Sequence, residues 1–239
     1  MKKFFYALLI SLLLISTAVS ALACSKATSD SPVDPDPTST IAKWQKTYTA
    51  GDFGIRNKKD PFVEFTFSTG ESIRLELYPT VAPITVNNFV SYVEEGFYIG
   101  VAIHRTLEGQ IFQCGGFEII DDKLVQKATH DPIKGEFLAN GVTNTLPHIR
   151  GVISMARLRD SMDSATSQFF ICATTMSGWD GSYAAFGRVI DEESFTVVSR
   201  LSDLETGVAD LYYGETPYSS SDVPTTRVTI TKAVLVWDN

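Results

Sequence analysis

The sequence is poor in the residues that support metal sites, disulfide scaffolds and nucleic-acid binding. Three cysteines and three histidines occur among 239 residues, and none forms a CxxC or HExxH pattern, so we expect neither a disulfide framework nor a bound metal. Lys and Arg number 20 against 28 Asp and Glu, a net charge of −8, which argues against nucleic acid as a partner. The glycine patterns of dinucleotide and phosphate sites are also missing, and we expect no cofactor.

The overall composition is that of a globular chain. Hydrophobic residues make up 44% of the sequence, and the counts of 16 glycines and 10 prolines are ordinary, which excludes collagen-like and wholly disordered proteins. A folded part of roughly 200 residues buries about 70% of its unfolded surface, which is enough for a core without metals or disulfides. We therefore expect one folded domain.

The first residues have the pattern of an export signal. Lys2 and Lys3 precede an apolar run over residues 4–15, and small residues follow as far as Cys24. This order predicts a signal peptide over residues 1–23. Because residues 4–23 are nearly long enough to span a bilayer, an uncleaved membrane anchor is the alternative.

The exit from this segment, Ala21-Leu22-Ala23-Cys24, resembles the lipobox of bacterial lipoproteins. The resemblance implies cleavage before Cys24 and lipidation of its thiol, although Ala21 stands where the family usually has Leu. The expected location is the bacterial cell envelope, with the protein lipid-anchored in the outer rather than the inner membrane and facing the periplasm, and with the cell surface as an alternative. The competing interpretation is an ordinary cleaved signal followed by an incidental thiol.

The segment after Cys24 is polar, acidic and rich in proline, so residues 24–42 are predicted to form a lipidated N-terminus and a disordered tether. At ~3.1 Å per residue, residues 25–40 would reach on the order of 50 Å from the membrane. Residues 43–239 then form the folded domain.

The folded part consists mainly of predicted β-strands. Residues 61–67 and 73–77 alternate between apolar and polar side chains, which indicates half-buried strands. Two helices are expected, one beginning near Pro83 and ending at Gly96 and one over residues 192–201. Residues 205–224, rich in Ser, Tyr and Gly, are predicted to form a surface loop. This pattern favours a closed or nearly closed barrel with capped ends.

Several segments resemble the signature sequences of the cyclophilins, in the order of that family. They are Ile-His-Arg-Thr-Leu-Glu-Gly-Gln-Ile-Phe-Gln-Cys-Gly-Gly-Phe at residues 103–117 and the segments at residues 132–137, 151–157, 164–172 and 180–189. The resemblance covers residues 63–236. It implies a mainly β fold, a closed eight-stranded antiparallel barrel capped by two α-helices, and peptidyl-prolyl cis-trans isomerase activity.

The resemblance also assigns roles to individual residues. Arg105 matches the catalytic arginine, and Gln113 matches the glutamine that holds the substrate carbonyl. Phe170 matches the floor of the proline pocket, and Gln168, two residues earlier, lies on the same strand face. The expected substrate-binding set also contains residues of the pocket wall, its rim and the edge that pairs with the peptide: Gln110, Ile111, Ala156, Arg157, Trp179 and Tyr183.

Three positions depart from the family pattern. Gln110-Ile111 replaces a usual Phe-Met pair, Gly178 aligns with a tryptophan so that Trp179 is displaced by one, and Tyr183 replaces a histidine. These departures leave two alternatives to an enzyme open. One is a non-catalytic module or holdase that binds prolyl peptides, and the other is a scaffold of an envelope complex that uses residues 205–224 as its contact surface.

The expected reaction needs no nucleophile or metal. Amide resonance sets a barrier of ~18–20 kcal/mol for rotation of an X–Pro bond, and a donor aimed at the prolyl nitrogen stabilises the twisted form. The guanidinium of Arg105 stays charged, but one charge-assisted bond contributes about 1.5–3 kcal/mol, so pocket and carbonyl contacts must supply the rest. The expected substrates are proline-containing segments of exported proteins, bound by a monomer. Cys114 and Cys172 are expected on opposite strand faces and unpaired.

Overall fold

A computed structural model describes residues 60–236 of the chain. The predicted signal peptide, Cys24 and the tether lie outside these residues. Between residues 60 and 236, no helix is long and apolar enough to cross a bilayer. The described part contains thirteen strands and two α-helices. Their bounds are β1 Phe62–Phe67, β2 Ser72–Leu77, α1 Pro83–Glu94, β3 Val101–Ala102, β4 Arg105–Leu107, β5 Ile111–Cys114, β6 Phe117–Ile120, β7 Lys123–Gln126, β8 Val152–Met155, β9 Phe169–Cys172, β10 Ala185–Val189, α2 Glu192–Ser202, β11 Thr206–Tyr213, β12 Thr216–Pro224 and β13 Ile230–Val236.

Eight strands form one antiparallel sheet in the order β13-β1-β2-β10-β8-β9-β5-β4. The mainly β class, the eight antiparallel strands and the two helices are confirmed, but the closed barrel is not. Among residues 60–236 the end strands β13 and β4 share no ladder, and the sheet is a curled half-barrel. A short bridge joins the residues that flank β3 to the β13 edge of this sheet: Gly100 N donates to Ile230 O at 2.8 Å and Ile103 N donates to Val228 O at 2.9 Å. The strand that reaches the β13 edge is β3, which belongs to a second sheet and pairs there with β6.

The core lies on the concave face of the main sheet. The alternation in β1 and β2 is confirmed, because every second side chain is at most 1% exposed: Val63, Phe65, Phe67, Ile73, Leu75 and Leu77. Aromatic rings from distant segments then fill the centre. Phe65 stacks on Phe169 at 5.6 Å between ring centroids, and Phe89 of α1 packs edge-on against Phe169 at 5.5 Å. The inner face of β9 is therefore fixed by packing.

Both predicted helices are confirmed. Helix α1 has Pro83 in its first turn and ends two residues before Gly96. Its N-cap residue, Ala82, offers no side-chain acceptor, and Glu136 supplies one from a distant loop. The Glu136 carboxylate accepts hydrogen bonds from the backbone N–H groups of Ile84 and Thr85 and from the Thr85 hydroxyl, at 2.7–3.1 Å. A remote buried carboxylate thus satisfies N–H groups that helices leave unpaired at this end.

The prediction of a surface loop over residues 205–224 is wrong, because these residues form the β11–β12 hairpin. The hairpin belongs to a second sheet with the order β12-β11-β7-β6-β3. Gly214, at φ +64°, allows the tight turn. Leu211 and Val223 are buried with Leu124 of β7 in a small core, and β11 pairs with β7 in parallel. Burial of these few apolar residues orders a segment whose composition otherwise favours a loop.

Candidate active site

Strand register places four residues in one row on the outer face of the main sheet. Arg105 on β4 lies opposite Gln113 on β5. Gln113 lies opposite Phe170 on β9, which in turn lies opposite Ser154 on β8. Directly paired residues point to the same face of a sheet. The sheet therefore presents a guanidinium, an amide and an aromatic ring side by side.

A chain of polar contacts links the first residues of this row. Arg105 Nη1 donates to Gln113 Oε1 at 3.4 Å, and Gln113 Nε2 donates to Gln168 Oε1 at 2.9 Å. Arg105 Nε also donates to Asp222 Oδ2 of β12 at 3.3 Å. An amide NH₂ has two donor hydrogens, so Gln113 keeps one beyond the bond to Gln168. Arg105 and Gln113 are thus held together with donors to spare.

An apolar pocket adjoins these polar groups. Ile111, Phe170 and Cys172 form a buried cluster, with Trp179 and Tyr183 packed against it. The Trp179 ring stands edge-on to Phe170 at 5.0 Å, and the Tyr183 ring does so at 5.7 Å. Leu107, Ala156 and Met176 complete the surroundings. These side chains form an apolar cluster rich in aromatic rings, which is the candidate pocket.

Beside Phe170 lies a polar array that sequence reasoning missed, with a buried His148 and Ser154 and an Asp180 side chain that is 40% exposed. The His148 ring stacks on Phe170 at 5.9 Å. His148 Nδ1 lies 3.1 Å from Asp180 Oδ1, and Nε2 lies 3.0 Å from Ser154 Oγ. The order Asp–His–Ser matches that of a hydrolase triad, but Ser154 is 0% and His148 1% exposed, so substrate cannot reach the hydroxyl. The array instead fixes the imidazole that stacks on the ring of Phe170.

Arg157 and Gln110, both assigned to substrate binding from the resemblance, lie in different surroundings. The guanidinium of Arg157 covers the Tyr183 ring at 4.8 Å, and its Nε donates to Ser182 O at 3.1 Å, so this side chain closes the rim of the pocket. Gln110 lies in the exposed turn between β4 and β5. Its backbone contacts Leu107 and Ala173, whereas its side chain makes no hydrogen bond within residues 60–236.

Two glycines after β5 give Gln168 its place. Gly115 has a φ of +95°, which favours glycine. A Cβ on Gly116 would lie 2.5 Å from Gln168 Nε2, closer than real contacts allow. The pair therefore lets the chain turn and leaves room for Gln168 to reach Gln113.

The cysteines flank the site without joining. Cys114 and Cys172 are both free and buried. Cys172 packs in the apolar pocket, whereas the Cys114 thiol donates to Ala102 O at 3.3 Å on the other face of the sheet. The prediction of opposite faces is confirmed. Burial raises the pKa of both thiols to about 12, so neither is a nucleophile at neutral pH.

Fold and site together define a half-barrel β-protein with an arginine beside an aromatic pocket. The sequence profile of the family described as cyclophilin type peptidyl-prolyl cis-trans isomerase/CLD matches residues 62–235. The chain therefore belongs to the cyclophilin-type peptidyl-prolyl cis-trans isomerases and is an isomerase of that type.

Comparisons with individual proteins agree. The chain is 40% identical over 146 residues to a peptidyl-prolyl cis-trans isomerase of Acinetobacter baylyi, a match covering 59% of this chain and 72% of that protein. It is 36% identical over 158 residues to peptidyl-prolyl cis-trans isomerase B of Escherichia coli K12, covering 62% and 88% of the two chains. Crystal structures of a cyclophilin type isomerase from Cryptosporidium parvum, one determined in the presence of the dipeptide Ala-Pro, share its fold. Their TM-scores are 0.54 and 0.51, at 21% and 22% identity, and they cover 75% and 74% of this chain and 99% of their own.

We expect the two buried histidines to make the fold sensitive to acid. Burial lowers the pKa of His104 to about 4 and also lowers that of His148. The unfolded chain therefore binds more protons than the folded chain once pH falls below about 6.5. The stability that the neutral His104 ring gives is complete above that pH and is lost as pH falls towards 4, by roughly 1 kcal/mol per pH unit. The lowered pKa of His148 adds a loss in the same direction. Urea unfolding between pH 8 and pH 4.5 measures this loss.

Asp60 provides the control for this acid response. Burial and the neighbouring Glu76 raise the pKa of Asp60 to about 6 from 3.8, so the folded chain takes up this proton first and gains stability as pH falls through that interval. Asp60→Asn removes this opposing contribution and should make the acid loss steeper. An acid loss in Asp60→Asn that is shallower than that of the wild type would contradict the assignment.

Proposed function

We propose that this isomerase rotates X–Pro bonds of flexible polypeptide segments at the outer face of β4, β5 and β9, with Arg105 as the catalytic donor. The observation that carries the proposal is the single row of Arg105, Gln113 and Phe170, in which the guanidinium is hydrogen-bonded to the amide beside an aromatic pocket. The substrate class is a proline-containing peptide, and the protein acts as a monomer without a cofactor.

Each part of the row has a defined task. Twisting the X–Pro bond frees the lone pair of the prolyl nitrogen from amide resonance, and a guanidinium N–H aimed at that nitrogen stabilises the twisted state. The proline ring lies on Phe170 against Ile111 and Trp179. Gln113 donates to the substrate carbonyl with its spare hydrogen. Only contacts that strengthen in the twisted state speed the reaction, so the donor of Arg105 sets the rate and the pocket holds one side of the bond still.

The peptide backbone on either side of proline follows the exposed edge near Ala156 and Arg157. Ala156 N donates a hydrogen bond to Gln168 O at 2.9 Å. The next backbone groups, those of Arg157, are therefore the ones available to the substrate. The Cryptosporidium parvum relative whose structure was determined with Ala-Pro supports a peptide as the ligand of this fold.

An exchange experiment tests the proposed activity. The purified protein is added to a peptide with one X–Pro bond, and cis–trans exchange is followed by NMR line shapes and exchange cross-peaks. Uncatalysed exchange takes tens to hundreds of seconds, so catalysis at catalytic protein concentrations is seen directly. Peptide binding with no acceleration at any concentration would instead support the non-catalytic module.

We also propose that the enzyme is exported and held in the bacterial cell envelope by lipid on Cys24, facing the periplasm at the outer membrane. The signal pattern of residues 1–23 and the Ala21-Leu22-Ala23-Cys24 sequence support this setting, and each buried acyl methylene contributes ~0.8 kcal/mol to membrane binding. The polar residues 24–42 would hold the domain away from the bilayer.

Expression in a bacterial host with labelled palmitate tests the anchor. We expect the wild-type protein to carry the label and to sediment with the membranes. The Cys24→Ser variant should lose the label and appear in the soluble fraction. Cys114→Ser, which changes a buried thiol, is the matched control and should keep the label. A wild-type protein without label would contradict the lipid anchor and would support an ordinary cleaved signal without lipidation.

A further inference from the structure

The β11–β12 hairpin places a carboxylate directly on Arg105. Arg105 Nε and Asp222 Oδ2 are 3.3 Å apart, and the two side chains are 36% and 37% exposed. Ion pairs this exposed contribute little to folding stability. The contact nevertheless lies at the centre of the site, and Asp222 comes from a hairpin of the second sheet.

Asp222 and Gln113 divide the donors of the guanidinium between them. Nε is taken by Asp222, and Nη1 is taken by Gln113 at 3.4 Å. Nη2 makes no hydrogen bond within residues 60–236. Two anchors on one planar group fix both its position and its plane. The remaining N–H groups are then the ones left to face a substrate.

The hairpin holds Asp222 in place. Ser221 Oγ donates to Asp222 Oδ1 at 3.1 Å, and the next two residues, Val223 and Pro224, are buried. The segment that leads into the hairpin is tied to β4 and to the turn after it, because Thr106 Oγ1 donates to Leu204 O and Gly109 N donates to Asp203 Oδ1. The backbone position of Asp222 is therefore fixed by the packing of its neighbours, and the bond from Ser221 orients its carboxylate.

We propose that Asp222 is a positioning residue for Arg105: it accepts from Nε so that the guanidinium meets the prolyl nitrogen already oriented. A free arginine side chain samples many rotamers and loses that freedom when it forms its bond to the substrate. With Asp222 and Gln113 in place, this ordering is complete before the peptide binds, and the donor acts at full strength in the twisted state. The inference rests on the proposed function of Arg105.

Asp222→Ala tests the proposal through a split between kcat and KM. We expect kcat for X–Pro exchange to fall about 5- to 20-fold with little change in KM, because the pocket that binds the proline ring is untouched. Asp222→Asn keeps an oxygen acceptor and should remain within about threefold of the wild type. Asp210→Ala changes an exposed carboxylate of the same hairpin and should leave exchange unchanged. In an Arg105→Ala background, Asp222→Ala should have no further effect.

The arginine Nε–Hε NMR signal gives a second readout that needs no activity. We expect the Arg105 signal to shift and its hydrogen exchange to speed up in Asp222→Ala but not in Asp210→Ala. An unchanged Nε signal, an unchanged or raised kcat, or an equal loss in the Arg105→Ala background would each overturn the proposal. If Asp222→Ala shifts the Arg105 Nε signal but the wild type has no exchange activity, the proposed function of the site is refuted and the positioning of Arg105 by Asp222 is not.

Discussion

Arg105→Ala should lower kcat/KM for a proline peptide on the order of 10²–10³-fold, or ~2.7–4 kcal/mol of transition-state stabilisation. The guanidinium is the only cation hydrogen-bonded to Gln113 among residues 60–236, so no neighbouring group in that range can take over its bond to the prolyl nitrogen. Because the side chain is about one-third exposed, its removal should leave the unfolding midpoint nearly unchanged. Exchange NMR and urea unfolding on the same samples measure the two effects.

Two arginine variants make the Arg105 prediction specific. Arg105→Lys keeps the charge but loses the planar fork that contacts Gln113 and Asp222 at once, and should recover only a small part of the activity. Arg200→Ala removes a cation that pairs with Glu71 on the exposed side of α2 and should leave kcat/KM within about twofold, as is usual for surface changes far from a site. Activity in Arg105→Ala within threefold of the wild type would contradict a catalytic role.

Strands and helices with strong local patterns were predictable from the sequence. Residues 61–67 and 73–77 alternate with period two and carry Phe65 and Ile73 inward, so hydrophobic burial alone selects their register. Pro83 marks the start of α1 for a local steric reason. These features depend on neighbours in sequence, and a single chain contains that information.

The β11–β12 hairpin was not predictable in the same way. Its stability comes from parallel pairing of Leu211 with Leu124 and from burial of Val223, partners far away in sequence. The bridge between Ala102 of β3 and Thr229 also joins segments that are far apart in sequence. The contact between Arg105 and Asp222 spans 117 residues, and no local pattern indicates it.

In the pocket, too, the placement of single side chains could not be predicted from the sequence. The resemblance named Gln110 and Trp179, but alignment alone could not say which side chain enters the pocket. The structure packs Trp179 against Phe170 and leaves Gln110 exposed. The short 3₁₀ turn over Ser177–Trp179 aims the indole inward, so an aromatic wall exists although Gly178 stands at the position where the family has its tryptophan.

Phe170→Ala should weaken both the fold and the reaction. The ring is 3% exposed and contacts His148, Trp179 and Tyr183, and loss of a buried Phe side chain costs about 3–5 kcal/mol of folding free energy. The same ring is the proposed floor under the substrate proline, so kcat/KM should fall at least about tenfold even where the variant is folded, since burying one apolar side chain contributes ~1.5–3 kcal/mol. Urea unfolding and exchange NMR measure the two losses.

The neighbouring Phe169 separates a binding role for Phe170 from a purely structural one. Phe169 is 0% exposed and points to the opposite face, where it stacks on Phe65. Leu at either position removes a ring but keeps the site apolar, so both variants should stay folded with comparable losses of stability. Phe170→Leu should then lose most of its peptide affinity and activity, whereas Phe169→Leu should keep them at temperatures below its unfolding transition. Equal activity losses in the two variants would mean that exchange tracks stability alone, and the proline ring would then have to bind elsewhere than on Phe170.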